Sequence, residues 1–296
     1  MEMSNDSKLG SSITSFIAKT SLDFWSSREK ELKAGNQLYS DAMNFFNGHF
    51  VTQNYEKAFT LFNEGANHNH GDCIFKLGSC YILGLGVEKN HAKAAEYFQK
   101  SAELGNVFGI LNLGYCFLNG QGLDKNESEA LQLFKKAAQL GYSEAFSAIH
   151  HCYSNGLGVE KNVQESLRYL KHAIDMGNPG TLNTMGCLLS DGTDVELNLN
   201  DAIKYFKLAA DRGNSNAMRN LGEKYRSGIM VPRNRQKALE LFLKSANLNN
   251  TIGIQSLITF YQDSLPDPDL LSFWGEKKVE LGDCIPTDVL KRRGWL

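Results

Sequence analysis

Few residues in this chain are spaced for chemistry, and each of those few has a structural reading beside the chemical one. Ser27-Arg28-Glu29-Lys30 satisfies the S-x-x-K spacing of serine acyl-transfer enzymes. The other two motifs of that chemistry are absent, and the tetrad lies outside the patterned part of the chain. His68, His70 and Cys73 form an H-x-H-x-x-C cluster of the kind that holds a soft metal. No fourth ligand accompanies it, and a polar turn between two helices accounts for the same residues. In His150-His151-Cys152 the side chains are consecutive on a helix and point different ways, which predicts one packed and one exposed histidine. Six cysteines invite a disulfide reading. Cys80, Cys116 and Cys152, however, recur at one constant step, which would set neighbours a helix-to-helix distance of about 8–10 Å apart, beyond bridging reach. Cys73 and Cys80 lie two turns apart on one helix. Reduced thiols packed as small hydrophobes follow, in a reducing compartment. The Gly-Leu-Gly turns recur as punctuation and do not form a phosphate cradle. No catalytic residue, cofactor or metal is assigned, and the chain is read as not an enzyme.

What positions these residues is a repeat. Stepping by 36 from Gly48 meets Gly84, Gly120, Gly156, Gly192 and Gly228, and the same step links Asn54, Asn90, Asn126, Asn162, Asn198 and Asn234. A third column holds Phe62, Phe98, Phe134, Leu170, Phe206 and Phe242, and a fourth the small residues Ala58, Ala94, Ala130, Ser166, Ala202 and Ala238. Four columns in register without an insertion define a tandem array whose units cannot bury their apolar faces alone. In the unit beginning at Cys73, the spacing of Ile74, Leu77, Gly78 and Tyr81 predicts an amphipathic first helix to Leu83. Gly84-Leu85-Gly86-Val87 stops it. Asn90 is placed to cap a second helix, and Asn126 with Glu129 and Asn162 with Glu165 read as capping boxes. Ala94, Tyr97, Phe98, Ser101 and Ala102 form that helix's inner stripe. Gly105, Gly141, Gly177, Gly213 and Asn249 stand where a left-handed C-cap is wanted.

The order A-x-x-x-L-G-x-x-Y-x-x-G-x-G-V, then N-x-x-x-A-x-x-x-F-x-x-x-A-x-x-G, resembles the Sel-one-like repeat family, a relative of tetratricopeptide repeats. Ala217, Leu221, Gly222, Tyr225, Gly228, Val231, Ala238, Phe242 and Ala246 match it in one unit. Leu113, Gly114, Gly120, Gly122, Ala130, Phe134, Ala137, Ala138 and Gly141 match it in another. The resemblance spans about Gln37 to Asn250 and implies an all-α fold, a right-handed α-solenoid of six helix-turn-helix units with terminal capping helices. Departures are local: Ile149-His150 replaces Leu-Gly, while Thr193-Asp194 and Ile229-Met230 lack the second loop glycine, which predicts altered loops in two units. Cysteine-rich members of the family pair one cysteine from each helix, and β-lactamase activity has been attached to them; the cysteine columns and the lone S-x-x-K here fit neither. Other relatives assemble degradation complexes at the endoplasmic reticulum, act in bacterial signalling and host interaction, or serve as immunity proteins against secreted toxins. The resemblance therefore implies an interaction protein.

The domain plan expected from these columns is an N-terminal capping or flexible segment over 1–36, units at 37–72, 73–108, 109–144, 145–180, 181–216 and 217–252, and a degenerate seventh unit with a C-terminal cap over 253–296. In the N-terminal segment Ile13, Phe16, Ile17, Leu22, Phe24 and Trp25 are apolar enough to cap the first unit or to lie in a groove, with charged Glu29 to Gly35 as the joint. Asn67-His68-Asn69-His70 reads as a lengthened link. Beyond Asn250, Ile254, Leu257, Ile258 and Tyr261 predict a further first helix, Leu270, Leu271, Trp274 and Val279 a last one, and Leu290, Trp295 and Leu296 a fold-back. Net charge is −2 with a pI near 6.4, which argues against a global basic field for nucleic acid or an anionic membrane. No apolar run of signal-peptide or membrane-spanning length is present, so the expected location is the cytoplasm, without membrane insertion.

A partner would meet positions that the repeat does not prescribe. The third, seventh and tenth residues of each first helix share one stripe. Successive units place there Tyr39-Met43-Phe46, Phe75-Ser79-Ile82, Leu111-Tyr115-Leu118, Ser147-His151-Ser154, Asn183-Cys187-Ser190 and Arg219-Glu223-Arg226. The stripe passes from apolar through small and polar to charged. Either it is an exposed groove for an extended peptide or partner helix, or its apolar end packs under neighbouring units and the N-terminal segment; the residues alone allow both. The expected function is a non-enzymatic scaffold or adaptor binding a protein or peptide through Tyr39, Met43, Phe46, Phe75, Ile82, Leu111, Tyr115, Leu118, His151, Asn183, Arg219, Glu223 and Arg226, with a bacterial effector or toxin-immunity protein as the alternative.

Overall fold

The computed structural model describes residues 28–264 and 268–281 of the chain. The apolar positions Ile13 to Trp25 expected to cap the first unit and the fold-back residues Leu290, Trp295 and Leu296, with Ser27, Cys284 and Pro286, lie outside these residues. Among the described residues there is no strand, and the helices follow one another as antiparallel pairs. The first, α1, spans 28–47. It begins ahead of the first patterned position, so the charged stretch expected to be a joint is helical. Then come α2 (Tyr55–Asn67), α3 (Gly71–Leu83), α4 (His91–Glu103), α5 (Val107–Asn119), α6 (Glu127–Gln139), α7 (Ser143–Asn155) and α8 (Val163–Asp175). The series continues with α9 (Pro179–Asp191), α10 (Leu199–Asp211), α11 (Ser215–Ser227), α12 (Arg235–Asn247), α13 (Thr251–Ser264) and α14 (Pro268–Leu281).

The asparagine column starts each second helix as expected. Asn54, Asn90, Asn126, Asn162, Asn198 and Asn234 all accept a hydrogen bond from the backbone N–H three residues on. The reciprocal half of the capping box is not made by Glu165, which turns to Arg168 at 3.4 Å instead. The expectation of altered loops at Thr193-Asp194 and Ile229-Met230 fails. The asparagine N–H donates to a first-helix carbonyl at 2.9 Å in these loops, Asn198 to Leu189 and Asn234 to Tyr225, as Asn90 does to Tyr81. Asp194 (φ 59°) and Met230 (φ 74°) simply adopt the left-handed backbone that Gly86 (φ 70°) adopts in the regular loop. They accept a conformation disfavoured for side chains with a Cβ. Where the second glycine is present it has another use: a Cβ on Gly86 would overlap the Tyr55 carbonyl oxygen, and one on Gly158 that of Glu127. The link at 68–70 is likewise of ordinary length, with Asn69 (φ 53°) in the place of Gly105 (φ 80°).

The chain divides into two compact units, residues 1–109 with 121–123 and residues 110–120 with 124–296. In the first, Ala42, Phe46, Ala58, Phe62, Cys73, Leu77 and Cys80 form a buried core. In the second, one core gathers Leu182, Ile203, Phe206, Met218 and Leu221, and another Phe242, Ile254, Leu257, Phe260 and Trp274. Val279, expected to close the last helix inward, is 82% exposed. The packing rule inside a hairpin is a glycine on the first helix against a phenylalanine on the second. A Cβ at Gly78, Gly114, Gly186 or Gly222 would come within 2.6–2.7 Å of the ring of Phe98, Phe134, Phe206 or Phe242 respectively. The hairpin of α7 and α8 breaks both halves of the rule together: His150 stands for the glycine and Leu170 for the ring. Ser166, in the alanine column, hydrogen-bonds the His150 Nδ1 at 2.7 Å.

Candidate partner-binding face

The stripe expected to meet a partner lies on the odd-numbered helices, and burial divides it. Phe46, Phe75 and Leu111 are at most 2% exposed, and Ile82 and Leu118 are also buried. These five present no surface; whatever meets this face meets it through the remaining residues. In the first unit Tyr39 and Met43 are half-buried. The Tyr39 ring lies 6.1 Å from Phe62 and 5.6 Å from His70, and burial pushes its hydroxyl up to about 12. Lys76, which the sequence reading passed over, is buried beneath the stripe with its Nζ 5.1 Å from the centre of the Phe46 ring. Desolvation pulls its ammonium down to about 8.

In the second unit the stripe is polar and open. Tyr115 is half-buried with its ring 5.0 Å from Phe134, His151 is exposed, and Asn183, Arg219, Glu223 and Arg226 are half-buried. Hydrogen bonds tie one first helix to the next: Asn220 Nδ2 donates to Asn183 Oδ1 at 2.9 Å, and Lys224 Nζ to Ser190 Oγ at 3.4 Å. Arg226 pairs with Glu223 at 2.8 Å and with Asp263 at 3.6 Å. Between α7, α9 and α11 the face sinks into a hollow of about 300 Å³ that brings together Ser147, His150, His151, Asn183, Thr184 and Asn214. Ser147 Oγ and Arg219 Nε are buried without a hydrogen-bond partner among the described residues. Sequence reasoning named His151 and Asn183 for this face, but it missed Asn214, Asn216 and Gly180, which also line the hollow.

The other chemical motifs resolve into structure. His70 is the N-cap of α3: its Nδ1 accepts from the Cys73 N–H at 3.3 Å while its Nε2 donates to Asn36 Oδ1 at 2.9 Å. Both ring nitrogens are thereby engaged, and burial lowers its pKa. No group of three metal-ligating side chains comes together among the described residues. Cys73, Cys80, Cys116, Cys152 and Cys187 form no disulfide among the described residues. Burial pushes Cys73 and Cys80 up to about 12 and Cys152 to about 11, which makes them poor nucleophiles. His150 packs inward with its pKa lowered by burial, whereas His151 faces solvent. Among the described residues no helix is long and apolar enough to cross a membrane.

A tandem series of helix pairs with a polar face on its first helices defines a helical-repeat protein. The Sel1 repeat model matches residues 38–70, 71–106, 107–142, 145–178, 183–214 and 215–250, and the chain belongs to that family. Proteins of this family generally mediate protein–protein interaction on a non-catalytic repeat scaffold. Among solved structures, a Sel1 repeat protein from Oxalobacter formigenes is similar with a TM-score of 0.66 at 24% identity, covering 84% of this chain and 99% of that one. The protective antigen c5321 of uropathogenic Escherichia coli is similar with a TM-score of 0.54 at 26% identity over 84% of this chain; the match spans only 54% of that protein's length. The immunity protein Pa5087 from Pseudomonas aeruginosa has a TM-score of 0.55 at 20% identity, covering 71% of this chain and 81% of that one. No curated protein matches the chain at a significant level.

Proposed function

We propose that the chain is a non-enzymatic adaptor that binds a protein or peptide on the first-helix face of its second unit. The observation that supports this is the contrast between columns: positions that build the hairpin keep one residue type, while Ser147, His151, Asn183, Arg219, Glu223 and Arg226 differ in type and are at least partly open to solvent. Cross-helix bonds such as Asn220 to Asn183 hold them in place before any partner arrives, which lowers the ordering cost of binding. The immunity proteins share only the fold with this chain, so a toxin partner is one instance of the same reading. Affinity capture with the full chain should retain a partner in stoichiometric amount. His151→Ala with Arg226→Ala should remove it, and Lys207→Ala with Glu240→Ala on second helices should not. Retention by all variants alike would refute the assignment of this face.

A further inference from the structure

The hollow between α7, α9 and α11 lies where a step of a hydrogen-bond ladder lacks its acceptor. Four of the residues that cap a first helix also reach back 34 positions to the preceding first helix; the cap position of α7 is Tyr142, which makes no side-chain cap bond. His70 Nε2 donates to Asn36 at 2.9 Å, Asn106 Nδ2 to Asp72 at 2.6 Å, Asn178 Nδ2 to Glu144 at 3.1 Å and Asn250 Nδ2 to Asn216 at 2.9 Å. The next member, Asn214, is only 2% exposed, and its Oδ1 accepts from the Ala217 N–H at 2.8 Å as the cap requires. Its counterpart 34 positions back is Gly180, which has no side chain to offer. The Asn214 amide N–H₂ makes no hydrogen bond among the described residues, and Asn214 and Gly180 both line the hollow.

The asparagines of the lining keep unbonded donors, while the Thr181 and Thr184 hydroxyls donate to the Asn178 and Gly180 carbonyls. Asn183 Oδ1 is taken by Asn220 and Asn216 Oδ1 by Asn250, which leaves both amide N–H₂ groups unbonded. His151 is exposed, with its Nδ1 3.0 Å from Asn155 Nδ2. Ser147 Oγ is buried and unpartnered. One turn beyond Asn216 on the same helix, Arg219 holds a further buried, unpartnered Nε–H. No carboxylate lines the hollow.

We propose that this hollow is a carboxylate-binding subsite, in which a carboxylate carried by the partner peptide, on an acidic side chain or at the chain end, takes the acceptor place that Asp72 and Glu144 fill elsewhere. A carboxylate has lone pairs for about four donors, and bonds to an ionised acceptor are the stronger kind. The proposal rests on the docking face above and names the chemistry it reads.

The test is a titration of the ¹⁵N-labelled full chain, at constant ionic strength, with three probes: N-acetyl-glutamate N-methylamide, N-acetylglycine, and N-acetyl-glutamine N-methylamide as the neutral isostere. Side-chain amide signals of Asn214 and Asn183 should shift saturably, in the millimolar range, with at least one of the first two and not with the third. Which of the two carboxylates binds more tightly tells side chain from chain end. Gly180→Asp puts the missing acceptor back, and Asn214→Asp keeps a good helix cap while replacing the donor with a negative group; each should weaken binding at least tenfold. Equal shifts with the neutral isostere, no saturable shift with either carboxylate, or unaltered binding by the variant that folds would overturn the proposal. No partner protein is needed, so a failure here leaves the docking face standing, and a failed capture experiment leaves the subsite standing.

Discussion

The glycine–phenylalanine packing rule makes a quantitative prediction at Gly186. An added Cβ would lie 2.7 Å from Phe206 Cδ1 and 2.8 Å from Cε1, and Phe206 is only 2% exposed, so the ring has little room to retreat. Overpacking of this kind costs about 1–3 kcal/mol. Alanine in place of glycine inside a helix returns about 1 kcal/mol. Gly186→Ala should therefore destabilise the protein by up to about 2 kcal/mol, although propensity alone predicts the opposite sign. Phe206→Leu alone should cost about 1–2 kcal/mol through the space it leaves. In the double variant the methyl group occupies part of that space, so the two changes should couple favourably by about 1 kcal/mol or more, as neighbours in contact do. His150 with Leu170 is one arrangement the chain itself uses when the glycine is absent, and Ala42 with Phe62 in the first hairpin is another. The assay is urea unfolding, with the midpoint compared at unchanged m value. A Gly186→Ala variant more stable than the parent, or a strictly additive cycle, would refute the claim that this contact sets the hairpin spacing.

Two further outcomes follow from the structure. Asp194 is exposed and sits at φ 59°, so Asp194→Gly should raise the thermal midpoint by an amount matching about 0.5–1 kcal/mol, whereas Asp194→Val should lower it, as read by calorimetry. Burial lowers the pKa of both His70 and His150, so the unfolded chain binds more protons just below the ordinary histidine value of 6.5. Their contribution to stability is complete above that pH and is lost as the solution is acidified towards their folded-state pKa values. The urea midpoint should fall with pH in this window, and His150→Leu should flatten part of the slope; a midpoint that rises on acidification would contradict it.

Most of the fold was legible because it is written in columns. Asn90 and its equivalents cap, Gly84 and its equivalents end helices, and Phe206 needs Gly186, so spacing alone carried the hairpin. The loops at Asp194 and Met230 are not legible from their missing glycines, because the chain keeps the left-handed conformation there and tolerates the strain. The site was less legible. Helical spacing put Phe75 and Leu111 on the same stripe as His151 and Asn183, but spacing does not say which members of a stripe packing will cover. Asn214 and Gly180 escaped notice because each is ordinary in its own helix. Only the 34-residue pairing seen at Asn106 with Asp72 and Asn178 with Glu144 shows that one partner is missing.

From α2 to α12 every helix has the same length, thirteen residues, and the loops between them close in the same way. Duplication or loss of one whole period would therefore join ends that already fit, and a gene for such a chain can lengthen or shorten by unequal crossing-over without a new junction having to be invented. A vacancy like that at Gly180 would travel with its own hairpin and its successor, so recombination could move a recognition position along the array as a ready-made part.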